Sequence, residues 1–236
     1  MERGEYERLA AVEDRMWWTR ALRRNLRAAA RFADVPDGRM LDAGCGSGGF
    51  LAAVAHRASF GLDRDGFACR LTHTKAHSPV TQGSVEDLPF GDAAFALIVS
   101  ADVLCHRGVG IERALGEMHR CLTPGGALVV NLPAYPWLYS AHDRAVDNAR
   151  RFHRREVIGL LAAAGFGRIR ATYWNTLLFP LMVARRLLPG GSSEVGLLPA
   201  SLEWLFDAVA TFESALLRSG LRLPFGGSIL AVGTRR

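Results

Sequence analysis

The sequence predicts a doubly wound α/β fold, a mainly parallel seven-stranded sheet between two helical layers. From residue 39 onward, short runs rich in Val, Ile and Leu alternate with helical stretches, the pattern of strands buried on both faces and joined by crossover helices. The segment Met40-Leu41-Asp42-Ala43-Gly44-Cys45-Gly46-Ser47-Gly48-Gly49-Phe50-Leu51 joins an apolar strand end to a glycine-rich turn and a helix start. A chain of 236 residues is long enough for one such domain with an appendage and too short for two comfortable enzyme domains.

The first element is a helix over Tyr6 to Phe32, because Leu9, Val12, Met16, Leu22, Leu26 and Ala30 recur mostly at three- and four-residue intervals. Asp34-Val35-Pro36-Asp37-Gly38 stops it. Strands follow over Arg39 to Ala43, Ser59 to Asp63, Val80 to Gln82, Phe95 to Ala101 and Ala127 to Leu132, then over Arg168 to Trp174 and Ser228 to Gly233. Between the last two lies an insertion, about residues 176–226. It holds an apolar segment from Leu177 to Leu188, a flexible turn at Pro189-Gly190-Gly191-Ser192-Ser193, and an amphipathic helix with Leu202, Leu205, Phe206, Val209, Phe212 and Leu216 along one face. The organisation is thus an N-terminal helical cap, 1–35, and one domain, 36–236, that carries the insertion.

The net charge of +6 comes almost wholly from arginines scattered among acids, with Lys75 the only lysine. No aromatic and basic stripe marks a nucleic-acid groove, so no nucleic-acid partner is expected. The four cysteines show no C-x-x-C and no His-Cys ligand spacing, so neither a metal centre nor a disulfide framework is indicated. Met1 to Arg15 is charged without an apolar h-region, and no run approaches the ~20 apolar residues of a membrane-spanning helix. The expected location is the cytoplasm.

The glycine turn binds a small nucleotide-like ligand in this reading, with main-chain amides at the positive end of a helix dipole. Gly44, Gly46 and Gly49 fit the G-x-G-x-x-G dinucleotide spacing, whereas Gly44, Gly46 and Gly48 fit the tighter G-x-G-x-G found with S-adenosylmethionine (SAM). Asp42 separates the two: its carboxylate would repel a pyrophosphate and suits a ligand carrying a sulfonium and an ammonium.

Several blocks in order then resemble the class I SAM-dependent methyltransferases of the small-molecule type, over roughly residues 36 to 175 plus the last strand. They are Leu41 to Gly48 at the nucleotide turn, Gly61-Leu62-Asp63 at the end of the second strand, Glu86 to Phe90 with Phe95 to Ser100 around the fourth, and Leu122-Thr123-Pro124-Gly125-Gly126 before the fifth. The resemblance implies the Rossmann-like methyltransferase fold, SAM as cofactor and S-adenosylhomocysteine as product. It implies cofactor contacts at Asp42, Gly44, Cys45, Gly46, Asp63 and Arg64, with Asp63 on the ribose hydroxyls, where an acid about 20 residues past the turn belongs in nucleotide folds. Ser84 stands where the family usually has an Asp for the adenine amino group. Val85 follows, whose amide meets the ring nitrogen, and Glu86 or Asp87 is the substitute acid. Ala101 and His106 match the post-strand segment, with Cys105 where a Glu is common; His106 lies beside the methionine part of SAM or packs in the core. Trp17, Trp18 and Arg20 resemble an N-terminal helix that covers SAM, the Arg pairing with its carboxylate, or else the tryptophans simply pack.

Methyl transfer is an in-line displacement, so the protein chiefly aligns the groups and excludes water, and an alcohol or phenol acceptor also needs a base. His142, just beyond the fifth strand, is the candidate base; Asp143, Arg150, Arg151 and His153 are candidates to orient it or to hold an anionic substrate group. Trp137, Tyr139, Trp174, Leu177, Leu178 and Phe179 with the insertion suggest an apolar pocket for a small hydrophobic or lipid-linked acceptor, methylated on oxygen by preference. The insertion is alternatively a dimer face or a patch for peripheral membrane contact. The rival readings are an NAD(P)-dependent oxidoreductase, which leaves Asp42 unexplained, and a non-catalytic scaffold of the same fold. A nucleic-acid methyltransferase is disfavoured because Asn131-Leu132-Pro133-Ala134-Tyr135 follows the wrong strand for an amino-methylating signature.

Overall fold

The computed structural model describes residues 3–54, 58–187 and 197–236. The elements in chain order are α1 (Arg3–Val12), α2 (Trp17–Phe32), β1 (Met40–Ala43), α3 (Gly49–Ala53), β2 (Ser59–Asp63), α4 (Gly66–Ala76), β3 (Val80–Gln82), β4 (Phe95–Ala101), α5 (Ile111–Cys121), β5 (Leu122–Pro133), α6 (Ala141–Ala145), α7 (Arg154–Ala163), β6 (Phe166–Trp174), α8 (Phe179–Leu187), α9 (Ala200–Arg218) and β7 (Ser228–Arg235). The strands form one sheet in the order β3-β2-β1-β4-β5-β7-β6. All run parallel except β7, which is antiparallel to both β5 and β6.

Alternation along the central strands builds two cores. Ile98 of β4 and Leu128 and Val130 of β5 face α5 and α7, where Leu115, Met118, Val157 and Leu161 pack. Leu97, Val99 and Val129 face the other way, toward Leu26 of α2, Leu51 of α3 and Ala210 and Leu217 of α9. Burial on both faces is why these strands read as continuous apolar runs.

Three expectations need correction. The single helix over Tyr6 to Phe32 is two, α1 and α2, broken at Glu13 to Met16. The break turns Glu13 inward onto Arg23 and Lys75, and the Trp17 N–H that begins α2 is accepted by Glu203 at 2.7 Å. β5 starts at Leu122 rather than Ala127, because Gly125, at φ +77°, lets the chain pair on through an irregular register with β4. The apolar stripe of α9 does not face the core: Leu202, Leu205 and Phe212 are exposed, while Glu203, Ala210, Glu213, Ser214 and Leu217 are buried. Glu213 collects the N–H groups of Thr176 and Leu177 at 2.8 and 3.0 Å, and that of Asn175 as well, so carboxylates join Ala210 and Leu217 in holding α9 to the sheet. The Pro189 to Ser193 turn and Leu188 lie outside the described residues. Among the described residues, no helix is long and apolar enough to cross a membrane.

Candidate cofactor and acceptor cleft

The carboxyl ends of β1, β2, β4 and β5 open into a cleft of about 1640 Å³. A drug-sized ligand typically occupies ~300–1,000 Å³, so the cleft has room for a cofactor and an acceptor together. Asp42, Gly44, Cys45, Gly46, Asp63, Arg64, Ser84, Val85, Glu86, Ala101, His106 and His142 line it as expected, whereas Arg20 and Asp143 do not.

At the turn, Gly44 has φ +95° and a Cβ there would meet Val103 Cγ2 at 2.1 Å; Gly48 has φ +84° and would meet Thr72 Cα at 2.8 Å. Gly49 is already helical, so the tighter G-x-G-x-G spacing is the one the backbone uses. A Cβ on Gly46 would enter open space, leaving the main chain accessible from the cleft. The amides of Gly44 and Cys45 bond the Leu62 carbonyl at 2.8 and 2.9 Å, and that of Gly46 bonds Asp63 Oδ2 at 3.0 Å. Asp63 Oδ1 accepts the Asp65 N–H at 3.0 Å, and a carboxylate still has a second lone pair on each oxygen for sugar hydroxyls.

Three acids crowd this end of the cleft: Asp42, Asp63 and Glu13. Burial, then the charges of Asp63 and Glu13, push the Asp42 carboxyl up to about 7. Burial also raises Asp63, against the lowering effect of its bonds from Asp65 and Gly46. A cationic ligand relieves this crowding and a pyrophosphate worsens it. The residues present therefore fit SAM. Ser84, Val85 and Glu86, the residues expected at its adenine edge, line the cleft, although one Glu86 oxygen already accepts the Gly110 N–H at 3.0 Å and Asp87 does not line the cleft.

The N-terminal helices cover the turn, but through a different arginine from the one expected. Arg20 pairs with Asp207 of α9 at 3.3 Å, drawn there together with Arg24 at 2.9 Å. Arg23 lines the cleft instead and bonds Glu13 at 3.0 Å, while Lys75 holds the other Glu13 oxygen at 2.6 Å. Trp17 and Trp18 line the cleft and pack on Phe206 and Trp174 respectively.

At the acceptor end His142 is half-buried on α6 and lines the cleft. Asp143 turns the other way and is fully buried. It accepts from Arg151 Nε at 2.8 Å, Arg186 Nη1 at 2.9 Å and the Ser140 N–H at 2.9 Å, so its oxygens are occupied holding α6, α8 and the following loop together. Burial raises its pKa, yet the charges of Arg151 and Arg186 outweigh burial and hold it below the usual carboxylate range. It is a structural acid. Arg150 bonds the Val109 carbonyl, Arg151 is tied to Asp143, and His153 caps α7. His106 lines the cleft with Nδ1 3.4 Å from the Asp147 carbonyl, and burial lowers its pKa.

Asp102 escaped the sequence reading. It directly follows β4 at φ +56°, lines the cleft, and receives Asn131 Nδ2 on both oxygens at 3.0 and 3.1 Å. Asn131 Oδ1 in turn accepts Trp174 Nε1 at 2.7 Å. Burial, partly offset by Asn131 and Arg151, raises Asp102 to about 7. The only sequence signal was an acid directly after a buried strand. The apolar wall also differs from expectation: Leu178, Leu181, Met182, Leu197, Leu198, Leu202 and Phe206 form it. Trp174 is behind it as core, and Trp137 and Leu177 point to the surface.

A family model described as a methyltransferase domain matches residues 41–130, the stretch from β1 through most of β5. Residues 41–130 are thus a methyltransferase domain, consistent with the class I SAM-dependent methyltransferases. It is 37% identical over 106 residues to the fatty-acid O-methyltransferase of Mycolicibacterium smegmatis, covering 42% of this chain and 38% of that one. It is 32% identical over 181 residues to the malonyl-[acyl-carrier protein] O-methyltransferase of Methylococcus capsulatus, covering 70% and 62%. The chain thus spans under two thirds of the length of either relative. In fold, a SAM-dependent methyltransferase of Thermotoga maritima is similar across 99% of this chain and 95% of its own, with a TM-score of 0.61 at 22% identity. The methyltransferase-domain match and the crowded acids together set aside the dinucleotide reading.

Proposed function

We propose that the protein transfers a methyl group from SAM to an oxygen of a small acceptor that is apolar or lipid-linked. The observation that carries this reading is one continuous cleft with an acid-rich, glycine-lined end and an apolar end walled by α8, α9 and the chain before α9. The names of the two relatives, one for a fatty acid and one for a malonyl group on a carrier protein, support an acyl acceptor.

SAM supplies a methyl already activated by a positively charged sulfur. The chain's own residues then have three tasks. Asp63, Gly44 and Gly46 fix the cofactor's position; Leu181, Met182 and Phe206 hold the acceptor and exclude water; and His142 takes the proton from an acceptor hydroxyl as the new carbon–oxygen bond forms. A carboxylate acceptor needs no proton removed, and Arg185, which lines the cleft, is then the group that meets its charge.

The test has two parts. Calorimetry should find binding of SAM or S-adenosylhomocysteine and none of NAD. Transfer of a tritiated methyl should then be followed against fatty acids, acyl thioesters and polar amines. Labelled ester or ether is the expected product. Labelled amine only would overturn the oxygen assignment, and tight SAM binding without turnover on any acceptor would favour the scaffold reading.

A further inference from the structure

Helix α9 is amphipathic in the inverse sense. Its acids are turned inward and partnered: Glu203 accepts the Trp17 and Leu198 N–H groups, Asp207 pairs with Arg20 and Arg24, and Glu213 holds the chain after β6. The outward face carries Trp204, Leu205 and Phe212, which are 71%, 46% and 59% exposed. Single exposed leucines are ordinary, but a helix face of large apolar groups with no acid among its described outward residues is not. The only outward charge on the helix is Arg218 in its last turn, with Arg222 exposed just beyond.

We infer that the outward face of α9 is a membrane-contact surface that seats on anionic lipid headgroups. Trp, Leu and Phe enter the headgroup–acyl boundary, while Arg218 and Arg222 meet the lipid phosphates at its edge, the arrangement of an interfacial helix. Charge complementarity argues for lipid over a second copy of the chain: another such face brings no acid to these arginines, and an anionic bilayer does. Leu202, at the amino end of the same face, also lines the cleft, so a seated protein would present the cleft mouth to the membrane. The inference stands apart from the acceptor's identity and holds even if that acceptor is water-soluble.

The full chain should be sedimented with vesicles of phosphatidylcholine alone and of phosphatidylcholine mixed with phosphatidylglycerol. Partitioning onto the anionic vesicles is expected to exceed that onto the zwitterionic ones at least tenfold at low salt and to fall as salt rises. The double variant Leu205→Glu, Phe212→Glu alters only exposed side chains and should abolish sedimentation while leaving the far-ultraviolet spectrum and SAM binding unchanged. Three results would overturn the proposal: no sedimentation with either vesicle, sedimentation that survives both glutamates, or a concentration-dependent dimer in light scattering that the same glutamates dissociate, since a second copy would then be the occupant.

Discussion

Glu203 on α9 accepts the backbone N–H of Trp17 at 2.7 Å, so a carboxylate from the insertion caps the helix that roofs the glycine turn. The same side chain takes the Leu198 N–H at 3.0 Å. Two partly buried amides therefore depend on one acid. Glu203→Ala should lower unfolding stability by about 1–3 kcal/mol, the usual range for buried donors left unsatisfied. Urea midpoints check this, and a change below about 0.5 kcal/mol would mean that water replaces the carboxylate.

His142 and Asp143 are neighbours in sequence with opposite tasks. His142→Ala should leave stability and SAM affinity nearly unchanged and reduce kcat on a hydroxyl acceptor by about 10²–10⁴, the usual contribution of a general base. Asp143→Ala strands Arg151 and Arg186 and should cost about 3–5 kcal/mol of stability, as breaking one side of a buried ion pair does. Chemical denaturation alongside single-turnover rates separates the two effects. A stable Asp143→Ala protein with lost turnover would reverse the assignment.

Asp42 and Asp102 make stability depend on pH with a definite sign. Unfolded, an aspartate titrates near ~3.9, whereas both are held to about 7 in the folded protein. Between those values the folded state binds more protons than the unfolded state. Stability therefore falls as pH rises from about 4 to about 7 and levels off above. Asp42→Asn and Asp102→Asn should each be more stable than wild type at pH 8, with the advantage vanishing near pH 4. An advantage equal at both pH values would mean that the carboxyls titrate normally.

The acid that burdens folding at Asp42 is expected to serve binding. Asp42→Asn should weaken SAM at least about tenfold at pH 8, ~1.4 kcal/mol, and wild-type affinity should strengthen as pH rises through 7 and the carboxylate ionises. Calorimetry between pH 6 and 8 measures both. Equal SAM affinity for variant and wild type would remove Asp42's charge from recognition.

Gly44→Ala combines a positive φ with a Cβ that would lie 2.1 Å from Val103 Cγ2. Loss of SAM binding is expected, with stability reduced by at least about 1–2 kcal/mol from the backbone conformation alone. Val103→Ala in the same chain should recover part of the stability by removing the clash.

The strands were legible because a strand buried on both faces needs a contiguous apolar run, and Ser59–Asp63 and Phe95–Ala101 have the bounds their residues suggest. The glycine turn was legible because positive φ is a local demand. By itself the sequence thus determined the sheet, the nucleotide turn and the cofactor class. Tertiary structure decided what depends on partners far along the chain. Arg20 and Arg23 lie three residues apart on one helix, and only the positions of Asp207 and Glu13 separate a surface pair from a cleft residue. Likewise α9 buries Glu203 and Glu213 and exposes Leu202 and Leu205 because backbone amides near Trp17 and Thr176 need acceptors, and a buried N–H left unbonded outweighs the burial of one leucine.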